Sequence, residues 1–130
     1  MTHPFSTIYL AVTGIFFAGS GVYSLSKPLN FAAALDLSIL RAGGSNEVRA
    51  QYGGFFLVLG VTCCLAMLGV VDRRFGLGAA AVTLGGVAGG RLLGLAIDRG
   101  VTGYGPGIRS LLLVDSAGCA LAVAALMLDA

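Results

Sequence analysis

Four apolar runs, each long enough to cross a bilayer, constrain this chain more than anything else in it. A helix needs about 20 mostly apolar residues to span the hydrocarbon core. The runs over residues 5–25, 48–71, 75–97 and 108–128 meet that length. Hydrocarbon offers no partner to backbone N–H and C=O groups, so such runs predict helices that bond internally. Composition agrees. The chain is 57% hydrophobic and only 11% charged, where a soluble domain carries about 25% charge. The predicted fold is therefore an all-α membrane protein, residues 1–130 forming a single four-helix transmembrane bundle. The first run resembles a signal sequence in position only. No Lys or Arg precedes Lys27, so it lacks a basic leader and reads as an uncleaved span.

The connections differ in kind. "DRRF" between the second and third runs is short enough to force an antiparallel hairpin. "DRGVTGYGPG" between the third and fourth is Gly-rich and predicts a flexible loop. The longest connection, 26–47, carries Leu29, Ala32, Leu35 and Ile39 at helical spacing among polar residues. That pattern predicts a short amphipathic helix over 28–42 lying in the membrane interface between spans one and two. Gly43 and Gly44 are expected to end it, Ser45 or Asn46 to cap the next helix, and Glu47 to sit at the positive end of that helix's dipole.

Small residues recur on helix faces. Gly14, Ala18 and Gly21 share one face of the first run, and Gly86, Gly90 and Gly94, with Gly85 and Gly89, recur in the third. This spacing lets backbones approach closely in lipid, so tight packing is the expected use, within the bundle or against an oligomer partner.

An even number of spans places both termini on one side, here A, with the "DRRF" turn; the two long connections share the opposite side, B. Side A then holds His3, Asp72, Arg73, Arg74 and Asp129, and side B holds Lys27, Asp36, Arg41, Glu47, Arg49, Asp98, Arg99 and Arg109. Two charges lie inside runs. Arg91 is seven residues before Asp98 and Asp115 six after Arg109, which puts them about 10 Å and 9 Å deep at 1.5 Å per residue. A charge at mid-helix costs about 2.5–3.5 kcal/mol on insertion scales. Opposite charges at matched depth on consecutive helices offset that cost, so an Arg91–Asp115 pair is predicted. On helical wheels Gly94 and Asp98 share the Arg91 face, while Gln51 and Tyr52 lie below Glu47 and Arg49. The expected ligand-binding cluster is Glu47, Arg49, Gln51, Tyr52, Arg91, Asp98 and Asp115, with Arg109 at its rim.

Several chemistries lack their residues. Cys63, Cys64 and Cys119 fall in apolar runs and read as small hydrophobes, not a redox motif. His3 is the lone His, so neither metal site nor cofactor is expected. "GVTGYGPG" lacks the Lys of a phosphate loop. The net charge of +2 is dispersed, which argues against nucleic acid.

"NEVRAQYGG" opening the second run, "GGRLLGLAIDRG" closing the third and an acid in the fourth resemble a family of small, uncharacterised four-helix bacterial membrane proteins. That family is similar in size and span count to the DoxX-like proteins. The resemblance implies Asn46, Glu47, Arg49, Tyr52, Gly53, Gly54, Arg91, Gly94, Asp98 and Asp115 as matching positions, with Asp115 standing where the pattern often has Glu. It implies no activity.

The functional expectation is a protein of the cell (inner) membrane that binds or moves a small amphipathic or anionic molecule. The alternatives are an accessory subunit of a membrane complex and a membrane-embedded acid–base enzyme on a lipophilic substrate. In the enzyme, Tyr52, Asp115 or Glu47 would be the catalytic candidates. Lys27, Arg41 and Arg99 against Arg73 and Arg74 leave the orientation open under the positive-inside rule.

Overall fold

The computed structural model describes residues 4–100 and 104–129. Helices carry nearly all of them: α1 (Pro4–Ser26), α2 (Pro28–Ala34), α3 (Ala42–Val48), a π-helical segment (Arg49–Gly54), α4 (Phe55–Met67), α5 (Arg73–Ile97) and α6 (Pro106–Leu128). Four helices are long and apolar enough to cross a membrane: Pro4–Ser26, Ala42–Met67, Arg73–Ile97 and Pro106–Leu128. The outer surface suits lipid. Val82, Leu113 and Met127 are 77%, 72% and 74% exposed, a cost in water that hydrocarbon removes.

The expected 28–42 helix is two pieces. α2 stops at Ala34 because Asp36 takes a left-handed φ of 58°. Leu37 N then reaches back to Ala32 O at 2.9 Å and Asp36 N to Ala33 O at 3.1 Å, the bond pair that satisfies orphan carbonyls at a helix end. Residues 35–41 form a non-helical strap, and Arg41 is extended at φ −143°. The chain re-enters a helix at Ala42, so Gly43 and Gly44 lie inside α3 and terminate nothing. Ser45 and Asn46 therefore sit past the start of α3, and no side chain caps it. Glu47 is correspondingly displaced from the helix's positive end. The same two-bond ending closes α4 at Gly69 (φ 75°), with Val70 N on Leu65 O at 2.9 Å and Gly69 N on Ala66 O at 3.2 Å, and α5 turns at Arg99 (φ 55°) with Gly100 N on Leu95 O at 2.9 Å. The α4–α5 hairpin forms as expected. Asp72 caps α5, its Oδ1 accepting from Phe75 N at 3.0 Å.

Close approach of α1 and α4 is the tightest packing in the bundle. A Cβ on Gly60 would fall onto the Ala18 backbone, and one on Gly21 would lie 2.6 Å from Leu57 N. Gly14, Ala18 and Gly21 thus serve packing, as their spacing predicts. The α5 glycines divide differently. Gly85 faces Cys119 and Gly94 faces Tyr104, while a Cβ on Gly86, Gly89 or Gly90 would meet nothing within 4 Å. Gly86 and Gly89 are exposed, and Gly90 borders open space beside the strap.

The apolar core occupies one half of the bundle. Tyr9, Leu10, Cys63, Ala66, Leu77, Ala80, Ala122 and Ala125 interlock where α1 begins, α4 ends, α5 begins and α6 ends. Ser6 Oγ donates to Asp129 Oδ1 at 2.7 Å, Arg73 Nη1 to Thr7 Oγ1 at 3.0 Å, and Tyr9 Oη to Gly118 O at 2.9 Å. These bonds tie all but one of the spanning helices together at that end. Toward the opposite end α1 stays packed on the second span, and a cavity lies between these two and the α5–α6 pair. His3 lies outside the described residues.

Candidate functional site

Asp115 is the one Asp, Glu, Lys or Arg that is buried among the described residues, at 6% exposure. Its Oδ2 accepts from Arg91 Nε at 2.9 Å, joining α6 to α5. This is the pair that the depth arithmetic predicts. The contact uses Nε alone. A guanidinium carries five N–H donors, and Nη1 and Nη2 have no hydrogen-bond partner among the described residues.

Beside the pair is a cavity of 660 Å³, within the range of about 300–1,000 Å³ that small-molecule sites occupy. Arg91, Asp115, Gln51 and Tyr52 all line it. Its remaining wall is mainly aromatic and aliphatic. Rings form a ladder across four elements: Tyr23 to Phe31 at 6.1 Å, Phe31 to Tyr52 at 5.4 Å, Tyr52 to Phe56 at 5.6 Å and Phe56 to Phe17 at 4.9 Å. These separations are those of favourable edge or offset contacts. Phe31 belongs to α2, so the short interfacial helix supplies one side of the cavity along with Ala34 and Leu35.

The strap is tied over the far end. Asp36 Oδ2 accepts from Gly105 N, the residue before α6, at 3.1 Å. A Cβ on Gly107 would lie 3.0 Å from Ala34 O, so the small residues around Pro106 let α2 and α6 approach. Tyr104 Oη donates to Asp98 Oδ2 at 2.6 Å, and that carboxylate pushes the exposed phenol's pKa above its ordinary value. The loop expected to be flexible is thus pinned at its described end; residues 101–103 lie outside the described residues.

The predicted cluster therefore divides. Gln51, Tyr52, Arg91 and Asp115 come together, while Glu47, Arg49 and Asp98 do not line the cavity. Asp98 is the C-cap of α5 and holds Tyr104. Arg49 Nε donates to Leu25 O at 3.2 Å, binding the end of α1. Glu47 is exposed on α3. Arg109, expected at the rim, is also exposed. Within the second span, Glu47 and Arg49 are set apart from Gln51 and Tyr52 across the π-helical segment "RAQYGG", in which Phe55 N bonds Ala50 O, five residues back. The extra residue per turn breaks the 3.6-residue wheel that relates Glu47 and Arg49 to Gln51 and Tyr52. The Gly53–Gly54 pair is its sequence trace. A Cβ on Gly53 would come 2.7 Å from Leu25 Cδ2, so the segment is pressed against α1, where Ser24 Oγ also donates to Val48 O at 3.1 Å.

Sequence reasoning missed Tyr23, Phe31, Phe56, Leu111 and Tyr104 as cavity residues. Their apolar character was plain, but nothing in the pattern says which lipid-compatible side chain turns inward. No group of three or more His, Cys, Asp or Glu among the described residues is arranged to hold a metal ion.

A family model described as a domain of unknown function, DUF4345, matches residues 5–126. No curated protein and no solved structure matches the chain.

Proposed function

This chain belongs to the DUF4345 family, a domain of unknown function, and from its own geometry we propose that it binds a small amphipathic molecule drawn from the bilayer. The molecule's apolar body lies along the aromatic ladder and its polar end meets the Arg91–Asp115 pair. The observation that supports this is the ending of a 660 Å³, largely apolar cavity on a guanidinium with two nitrogens that have no partner among the described residues. Packing alone would close such a space, because an unfilled void forfeits the dispersion contacts of everything lining it. The protein lies in the cell membrane with both termini on one side, and the cavity opens toward the other.

The reading is tested with a cavity-filling variant. Leu111 lines the cavity and is half-buried on α6. In Leu111→Trp, a bilayer-soluble fluorescent amphiphile should bind at least about tenfold more weakly than in the native protein, about 1.4 kcal/mol. Leu113→Trp, on the exposed face of the same helix, should leave affinity unchanged. Equal affinity in all three proteins would sink the reading.

A second reading, an accessory subunit of a membrane complex, draws support from the open α5 face at Gly86, Gly89 and Gly90. Photocrosslinking from position 86 in native membranes separates the two: a single protein adduct favours the subunit, lipid adducts alone the binder.

A further inference from the structure

A second cavity of 390 Å³ adjoins the first. Leu35, Tyr52, Val87 and Arg91 line both, so these four residues stand between them. On the smaller side Gly90 and Gly94 leave the α5 backbone bare, and Tyr104 stands opposite. The Arg91 guanidinium is thus at the meeting point of an apolar chamber and a smaller chamber toward the strap.

Two inventories can be taken there. The first is of hydrogen bonds. Arg91 has spent Nε on Asp115 and keeps the N–H groups of Nη1 and Nη2, and Tyr52 Oη has no hydrogen-bond partner among the described residues. The place offers donors that ask for an acceptor, beside one carboxylate oxygen, Asp115 Oδ1, that accepts nothing among the described residues and has room for a donor such as an amide N–H. The second is of charge. Arg91 and Asp115, 2.9 Å apart, already sum to zero. An anion added beside them leaves one uncompensated negative charge in a low-dielectric interior, where unpaired charge is costly. A neutral acceptor satisfies the same donors and adds no charge.

We infer that, within the amphiphile-binding role proposed above, the site selects amphiphiles whose head is an uncharged hydrogen-bond acceptor, such as an amide, ester or ketone carbonyl. Asp115 is the residue that sets this selectivity. By neutralising Arg91 it refuses the carboxylates and phosphates that a lone arginine would take, while leaving the Nη donors free to meet a carbonyl.

The test compares two probes of one shape and one chain, tritiated dodecanamide and tritiated dodecanoate. Binding is read by scintillation proximity on the full-length protein in phosphatidylcholine nanodiscs at about pH 9, where the acid is ionised. Binding to Leu111→Trp is subtracted as the partition background. The native protein should bind the amide at least about tenfold more tightly than the carboxylate. In Asp115→Asn, which frees the Arg91 charge, the order should invert, and Asp115→Glu should keep the native order. Native protein that binds dodecanoate as tightly as dodecanamide, or more tightly, overturns the inference and leaves the amphiphile reading standing. Neither probe exceeding the background overturns both. An amide preference that survives in Asp115→Asn removes Asp115 from the role. The comparison on native protein decides the head chemistry even if a variant fails to fold.

Discussion

At the scale of single residues, the Arg91–Asp115 contact joins cost to use. Removing one partner leaves the other charged and unpaired inside the bundle, and such losses run to about 3–5 kcal/mol in protein interiors. Arg91→Leu and Asp115→Leu should each lower the unfolding midpoint substantially, and Arg91→Leu/Asp115→Leu should lower it less than either alone. Thermal unfolding in detergent with a double-mutant cycle reads this directly; additive single effects would mean the pair is not coupled. The pair was legible in the sequence because depth along a helix is simple arithmetic and a lone charge at that depth needs an opposite one. Tyr52 was legible as a neighbour for the same reason. Arg49 and Asp98 were misassigned because each finds a nearer partner, Leu25 O and Tyr104 Oη, that no spacing rule announces. The Tyr104–Asp98 bond carries its own pH prediction. The phenol's pKa is raised by the carboxylate that accepts its hydrogen bond, so on the alkaline side the contact is whole up to ordinary tyrosine ionisation, about 10. It is lost as pH rises through the higher folded value. A phenolate absorbance titration should show a late-ionising component that Tyr104→Phe removes.

Individual elements explain more of the misreadings. The glycine patterns in α1 and α5 look alike in sequence, yet one is buried against α4 and the other is open. Periodicity marks a face as small; only the neighbouring helix decides whether smallness is needed. Gly21→Ala and Gly60→Ala should therefore destabilise, since each adds a methyl where backbone already stands, at about 1–3 kcal/mol for overpacking. Gly86→Ala and Gly89→Ala meet open space and should be neutral or gain up to about 1 kcal/mol from helix propensity. Equal effects at all four positions in a chemical unfolding series would contradict this packing. The strap shows a different limit. Residues 28–42 have helical periodicity throughout, but Asp36 is diverted into the left-handed region, with its carboxylate on Gly105 N. A local pattern cannot reveal a bond across 69 residues. Asp36→Gly keeps the backbone turn and loses only the tether, whereas Asp36→Ala loses both. Cysteine labelling at Leu37 should rise in Asp36→Gly and rise further in Asp36→Ala.

At the scale of the whole molecule, the core lies toward one end and the cavity toward the other, an asymmetry that follows from where small and large residues lie. Alanines, a cysteine and a leucine, Ala66, Ala80, Ala122, Ala125, Cys63 and Leu77, let the helices close at one end. At the other, α1 stays pressed on the second span and Arg91–Asp115 joins α5 to α6, while the rings of Tyr23, Phe31, Tyr52 and Phe56 line a cavity between them. The four spans were legible because apolar length is a property of the chain alone, and the cavity was not, because separation between helices is a property of pairs. The sidedness argument joins the two scales. α1 and α5 run from the closed end to the open end, and the Ala42–Met67 and α6 spans run back. If the four helices cross a bilayer, Glu47 and Asp98 must share one aqueous face and Arg74 must lie on the other. All three are exposed, so a cysteine at each reports its side. In a cysteine-free background, an impermeant maleimide added to sealed, oriented vesicles should label Glu47→Cys and Asp98→Cys together. It should reach Arg74→Cys only after the vesicles are opened, or label it alone if the orientation is reversed. Both orientations keep the pairing of 47 with 98 and the opposition of 74. Labelling of 47 and 98 from different faces would break the topology, and with it the placing of the strap, Tyr104 and the mouth of the cavity on a single side of the membrane.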